Sequence, residues 1–202
     1  QLLGGVLPQY ERMFTEAMDS AEQHLWKNVT VVPHAPSLSV VVSSMGHGRS
    51  NVSLEHLACF SGGMMALGSR IVPDRRHYLN IARMTTETCY WGYNSSLTGL
   101  GAEALEFYHP QDKDMYRVVT EADGTRHRGP PVGDPFVGVR YIWHEDYRNR
   151  PEVIESVLYM WLTTGDPVWQ ERGWQMFASW MTPCLTRSGT STIYDVNAVP
   201  VR

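Results

Sequence analysis

Cysteine is scarce in this chain: Cys59, Cys89 and Cys184 are all that its 202 residues contain. An odd count excludes a fully paired disulfide framework within the chain, so a packed core must do most of the stabilising. No apolar run reaches the length of a bilayer span, and no secretory leader opens the sequence. There is no excess of basic residues either. Lys and Arg number 17 against 21 Asp and Glu, a net charge of −4, which excludes a nucleic-acid partner held by bulk electrostatics. The sequence also lacks an initiator methionine. It opens abruptly on "QLLGGVLPQYERMF" and closes on "YDVNAVPVR", and we expect a piece of a longer polypeptide.

What is present is globular: 43% hydrophobic and 19% charged residues, enough for one good core. Three of the six asparagines lie in glycosylation sequons, Asn28-Val-Thr, Asn51-Val-Ser and Asn94-Ser-Ser. Together they point to the secretory pathway, whether endoplasmic reticulum, Golgi lumen or cell exterior.

Hydrophobic periodicity predicts a helix from Gln9 to about Trp26, with Tyr10, Phe14, Ala17, Ala21 and Leu25 at helical spacing. "VTVVPHAPSLSVVV" is β-branched and alternating, a short β-hairpin around Pro33 and Pro36. Ser53 to Leu67 is expected to be an inner helix capped by Ser53, with Glu55 and His56 in its first turn. Pro73-Asp74 opens an outer helix carrying Tyr78, Ile81, Ala82, Thr85 and Cys89 on one face. A short helix is expected to start near Ala102, and a second hairpin between Lys113 and Tyr147.

"NRPEVIESVLYMWLTTGDPVW" follows. Pro151 suits the first position of a helix whose stripe is Val153, Ile154, Val157, Leu158 and Trp161. "TTGDP" turns the chain into another helix, expected to bury Trp169, Gly173, Trp174, Phe177, Trp180 and Met181: an αα-hairpin. Glu55, Glu103 and Glu152 then recur about 50 residues apart, each expected at the start of an apolar helix. Carboxylates in a first turn are favoured by the helix dipole alone. But Glu152 and Glu155 share a face beside Arg150, and a ring repeating that device builds an acidic, partly dry pocket. Such pockets do acid/base work on sugars or hold hard cations.

Four blocks, in order and over almost the whole chain, resemble glycoside hydrolase family 47, the class I α-1,2-mannosidases. They are "NRPEVIESVLYMWLTTGDPVWQERGW", "LEHLACFSGGMMALG", "TETCYWGYNSSLTGLGAEALEF" and "QLLGGVLPQYERMFTEAMD". The resemblance implies a mainly α fold, part of an (α/α)7 barrel of stacked helical hairpins with two short β-hairpin insertions. Residues 1–202 would be its later-middle part. It implies a calcium-dependent, inverting exo-hydrolase that trims α-1,2-linked mannose from high-mannose N-glycans. Glu152 would match the general base, Arg150 and Glu155 pocket residues beside it, and His56 and Glu103 pocket-lining positions. Cys59 and Cys89 would match the family's disulfide, leaving Cys184 free.

The same resemblance places the catalytic acid before Gln1 and the calcium-binding threonine after Arg202, so no metal ligand is expected within this chain, Asp195 and Asn197 included. The 202-residue piece by itself is therefore expected to be inactive and the parent protein active. The alternative is a lectin-like relative, weak in hydrolysis, acting in glycoprotein quality control and endoplasmic-reticulum-associated degradation. The expected partner is the glycan, and the expected state a monomer. Ala102 stands where the family has proline. His56 as an ordinary core histidine remains the competing reading. The Trp-rich face from Trp169 to Trp180, and Tyr141 and Trp143 in the second hairpin, are expected to pack rather than bind ligand.

Overall fold

A computed structural model of the chain describes residues 7–29, 38–44, 50–107, 118–120, 126–128 and 139–198. The turn around Pro33 and Pro36 and the acidic stretch at Asp112 to Asp114 lie outside the described residues, as does the Tyr141 side chain.

Five helices carry the fold. α1 (Pro8–His24) is followed by β1 (Trp26–Val29) and β2 (Leu38–Val41), an antiparallel pair that opposes Trp26 to Val41. This is the first expected hairpin. Val29, Leu38 and Val40 are buried on it, as β-branched residues on a packed pleat should be. β3 (Ser43–Ser44) and β4 (Ser50–Asn51) form a second small pair. α2 (Phe60–Ile71) and α3 (Tyr78–Asn94) lie against each other, and α2 also lies against α4 (Glu152–Thr164). α4 turns through Gly165, at φ 69°, into α5 (Val168–Cys184). Glycine supplies that left-handed cap, and Asp166 Oδ1 then accepts the Val168 N–H, so "TTGDP" makes the expected αα-hairpin. No helix among the described residues is long and apolar enough to cross a membrane.

α2 is the hub because it is thin. Gly62 and Gly63 bring it so close to its neighbours that a Cβ on Gly62 would sit 2.3 Å from Thr86 Oγ1. A Cβ on Gly63 would sit 2.8 Å from the Tyr159 ring and 3.2 Å from Ser156 Cα. The Cys59–Cys89 disulfide, with Cα atoms 5.9 Å apart, ties the start of α2 to α3 as the family resemblance implies. Cys184 is free and buried.

Three expectations need correction. Ser53 caps no helix: β5 (Ser53–Glu55) is a strand, a single 3-10 turn covers His56–Cys59, and α2 begins only at Phe60. No helix starts at Ala102 either, because β6 (Ala104–Phe107) pairs with β5, Leu54 opposite Leu105. Ala, Glu and Leu favour helix, but Leu105 and Phe107 are buried two apart, and that period-two burial decides. The third strand of this sheet is β9 (Val139–His144). So Val139 to Trp143, the described part of "FVGVRYIW", belongs to the strand beside β6, while the hairpin inside the second loop region is β7 (Val118–Thr120) with β8 (Arg126–Arg128). Of the three recurring glutamates, only Glu152 starts a helix.

The burial of the last hairpin also differs. Trp169 and Met176 are buried, but Trp174 is 69% and Phe177 44% exposed. Val153, Ser156, Val157 and Met160 of α4 are buried, while Ile154, Leu158 and Leu162 are exposed. Between α4 and α5 runs an apolar groove of about 680 Å³ lined by Ile154, Leu158, Trp161, Trp169 and Trp174. Beyond α5, β10 (Leu185–Thr186) and β11 (Gly189–Thr190) make a tight hairpin.

Gly63→Ala should lower stability by about 1–3 kcal/mol, since Ser156 Cα is backbone and cannot swing away. Denaturant melts of the two proteins check this. Replacing Cys59 and Cys89 together by serine should cost roughly 3–4 kcal/mol in the same assay, a loss that reducing the wild type reproduces.

Candidate active site

Backbone hydrogen bonds bring three distant segments together. The His56 N–H donates to Glu103 O at 3.0 Å, and the Glu103 N–H donates to Asp146 O at 3.0 Å. Tyr147 exchanges both backbone bonds with Ile193. Asn149 then sits at φ 56°, a left-handed conformation that asparagine tolerates better than most residues, and its Oδ1 accepts the Trp180 indole N–H at 2.8 Å. That turn delivers Arg150 and sets Pro151 as the N-cap of α4, with Glu152 as its first residue. The expected position of Pro151 is thus shifted outward by one.

One turn along α4, Ser156 Oγ donates to Cys59 O at 2.6 Å and accepts the Gly63 N–H at 2.9 Å. This fully buried hydroxyl seats the Glu152 end of α4 beside His56.

His56 is 3% exposed. Its Nε2 lies 2.6 Å from the Tyr93 hydroxyl and its Nδ1 3.3 Å from Glu152 Oε2. Burial holds the imidazole below its usual pKa, outweighing the pull of Glu103 and Glu152 in the other direction. Burial also pushes the Tyr93 phenol well above the ordinary tyrosine range, with Tyr147 adding to it. The imidazole is therefore neutral, standing between the Tyr93 hydroxyl at Nε2 and the Glu152 carboxylate at Nδ1. Tyr147 closes the back of this pocket, its ring centroid 6.2 Å from His56 and 6.0 Å from Tyr93.

Arg150 Nε lies 2.5 Å from Glu103 Oε1, close enough for strong attraction but without the angle of a hydrogen bond. Glu103 Oε2, Glu152 Oε2 and His56 Nδ1 are likewise buried without a hydrogen-bond partner. Folded proteins pair nearly all such atoms, so four unsatisfied polar atoms in one cluster mark a place for a polar ligand or water. In front of the cluster opens a cleft of about 480 Å³, lined by His56, Leu57, Glu103, Trp143, His144 and Arg148.

His56, Glu103, Arg150 and Glu152 thus come together, though two of them lie outside helices. Glu155 does not join them. It lines the apolar groove between α4 and α5 and makes no ion pair or side-chain hydrogen bond among the described residues. Sequence reasoning missed Tyr93, Tyr147, Asn149 and Ser156. Their shared signal is adjacency to a named motif residue, and nothing in a sequence tells which neighbour points inward. Asp195 and Asn197 are engaged in the chain's own turns: Asp195 Oδ1 accepts the Asn197 N–H, and Asn197 Oδ1 accepts the Leu97 N–H. A remote exposed trio, Asp19, Glu22 and His77, approaches ion-binding spacing, but Asp19 is already held by Arg75 and Tyr78.

Two carboxylates, an arginine and a histidine gathered at helix and strand ends are groups of the kind that glycosidases carry. The chain belongs to glycosyl hydrolase family 47, whose family profile matches residues 1–202. It is 31% identical to human mannosyl-oligosaccharide 1,2-alpha-mannosidase IC, over 92% of this chain and 25% of that protein. It is 31% identical to a probable mannosyl-oligosaccharide alpha-1,2-mannosidase 1B of Aspergillus niger, over 94% of this chain and 33% of that protein. The fold superposes on the alpha-1,2-mannosidase from Trichoderma reesei with a TM-score of 0.73 and 25% identity, covering 93% of this chain and 36% of that one. The fold is therefore part of an (α/α)7 barrel. The chain spans about a quarter to a third of the length of these relatives.

The depressed pKa of His56 has a consequence for stability. The unfolded chain takes up a proton near pH 6.5 before the folded one does, so stability is full above about pH 6.5 and falls as pH drops through the folded value. Glu103, Glu152 and Arg150 surround the ring. His56→Gln should flatten the melting-temperature curve below about pH 6.5, as measured by thermal melts at falling pH.

Proposed function

We propose that the full-length protein is an inverting exo-hydrolase that removes α-1,2-linked mannose from high-mannose N-glycans, with Glu152 as general base. The observation that carries this reading is the cluster of unsatisfied buried polar atoms at Glu152, Glu103, His56 and Arg150, supported by the names of the family relatives.

The roles follow from position. A general base must keep a carboxylate oxygen within reach of a water, and Glu152 Oε2, 3.3 Å from His56 Nδ1, makes no hydrogen bond among the described residues. His56, held at Nε2 by Tyr93, stands beside the carboxylate and sets its direction. Arg150 and Glu103 neutralise each other through Nε and Oε1, which leaves Glu103 Oε2 for a sugar hydroxyl. Inversion needs an acid on the opposite face of the sugar ring, at a separation that leaves room for water. We assign that acid to residues preceding Gln1, and Glu155 to a supporting position on α4.

Calcium belongs to the same proposal. The chain offers two hard oxygens with free lone pairs, Glu103 Oε2 and Glu152 Oε2. A calcium ion takes six to eight oxygens, so these two do not complete its shell, and its direct ligand would lie beyond Arg202. Bound calcium would orient sugar hydroxyls as a Lewis acid. The sequons, Asn94 among them exposed at the end of α3, support a secretory-pathway location and a glycosylated chain.

Glu152→Gln in the full-length protein should lower kcat on an α-1,2-mannobioside by about 10²–10⁴-fold with little change in KM. Proton NMR of the first product should show β-mannose. Wild-type binding without hydrolysis would identify a lectin-like relative instead. The isolated 202-residue chain should release no mannose, and release by it would overturn the assignment of the acid outside this segment. Dialysis against a chelator should abolish turnover in the full-length protein and lower its melting temperature, with calcium restoring both.

A further inference from the structure

We infer that Asn149 and Trp180 are a positioning pair, whose hydrogen bond lets α5 hold Arg150 in register with Glu103 at the sugar-binding cleft. This rests on the glycoside reading above and names residues outside the cleft on which that reading depends. Neither Asn149 nor Trp180 lines the cleft.

Asn149 is held in an uncommon backbone conformation. Its φ of 56° lies in the left-handed region, where side chains other than glycine are rare and asparagine is among the least unfavourable. Such a residue persists only where its surroundings impose the conformation, and this one immediately precedes the arginine of the site. The contact that imposes it is the Trp180 indole N–H, which donates to Asn149 Oδ1 at 2.8 Å. Trp180 is in turn half-buried on α5, its ring centroid 6.1 Å from that of Phe177.

The adjoining residue of α5 serves the other half of the ion pair. Gly99, at φ 72°, passes Ser179 so closely that a Cβ there would stand 2.3 Å from its Oγ and 2.9 Å from its Cβ. The segment that leaves Gly99 delivers Glu103, whose N–H donates to Asp146 O. Consecutive residues of one helix, Ser179 and Trp180, thus brace the two segments that carry Glu103 and Arg150. The pair needs such bracing. Arg150 Nε stands 2.5 Å from Glu103 Oε1 without the angle of a hydrogen bond, and bare attraction sets a distance but no direction. Glu152 has a separate seat, through the Ser156 hydroxyl and its bonds to Cys59 O and the Gly63 N–H. A loosened Asn149 turn therefore shifts the charges that meet the sugar and leaves the base in place.

The test uses the full-length protein. Asn149→Gly keeps the left-handed turn and removes the acceptor, Trp180→Phe removes the indole N–H and keeps an aromatic ring, and Asn149→Asp keeps an acceptor oxygen. These and the double variant Asn149→Gly/Trp180→Phe are compared with the wild type by melting temperature, by steady-state kinetics on an α-1,2-mannobioside, and by isothermal titration with its non-hydrolysable thio-linked analogue. Asn149→Gly and Trp180→Phe should each raise KM and the thioglycoside Kd about tenfold with kcat little changed. The double variant should be no worse than either single one, and Asn149→Asp should stay within about threefold of the wild type. Folded single variants that keep wild-type affinity, whatever their melting temperatures, overturn the inference. So do losses that multiply in the double variant, or a loss in Asn149→Asp as large as in Asn149→Gly. Wild-type binding of the thioglycoside, with no hydrolysis of the oxygen-linked disaccharide, would sink the hydrolase reading and leave this inference standing on the Kd values. Failure of the wild type to bind the thioglycoside would sink both.

Discussion

The close approach of α2 to α4 is the constraint on which the rest depends. Two glycines remove the side chains that would hold the helices apart, and the fully buried Ser156 hydroxyl fills the gap with one accepted and one donated hydrogen bond. The hydroxyl bonds the Cys59 carbonyl and the Gly63 amide, which face each other across the first turn of α2. The same contact fixes the first turn of α4, and so the distance from Glu152 to His56. Packing and chemistry therefore share one interface. The disulfide reinforces it from the other side by holding Cys59 to α3.

The site is electrostatically poised rather than fully satisfied. A buried neutral histidine between a phenol and a carboxylate, and an arginine set against a glutamate at poor angles, leave polar atoms facing inward with their valences open. A protein built only for stability would close such a network, because an open one costs more than an apolar core. The two carboxylates arrive differently, Glu152 on a helix and Glu103 at the head of a strand.

Much of this was legible from residues alone. Helical periodicity placed α1, α3, α4 and α5 within a few residues, "TTGDP" marked its turn, and the motif blocks carried the family and the Cys59–Cys89 pair. Periodicity failed where segments were short. Ser53–Glu55 and Ala104–Phe107 are too brief to separate a period of two from one of 3.6, and their helix-favouring Ala, Glu and Leu outvoted the burial pattern. The even spacing of Glu55, Glu103 and Glu152 reflected order along the chain and not a repeated element. Glu55 is exposed while the other two converge with His56 and Arg150.

The amino-acid sequence by itself determined which chemistry is available: carboxylates, an arginine and a histidine in recognisable blocks, an apolar content sufficient for one core, and one spare thiol. Tertiary structure alone decided which of these groups meet. Glu103 reached Arg150 through backbone bonds that join its strand to the segments before α2 and α4, and Glu155 came to line the groove between α4 and α5. The reason is physical. Side-chain direction follows from backbone register, and register is set by long-range pairing and burial that no local window of residues contains.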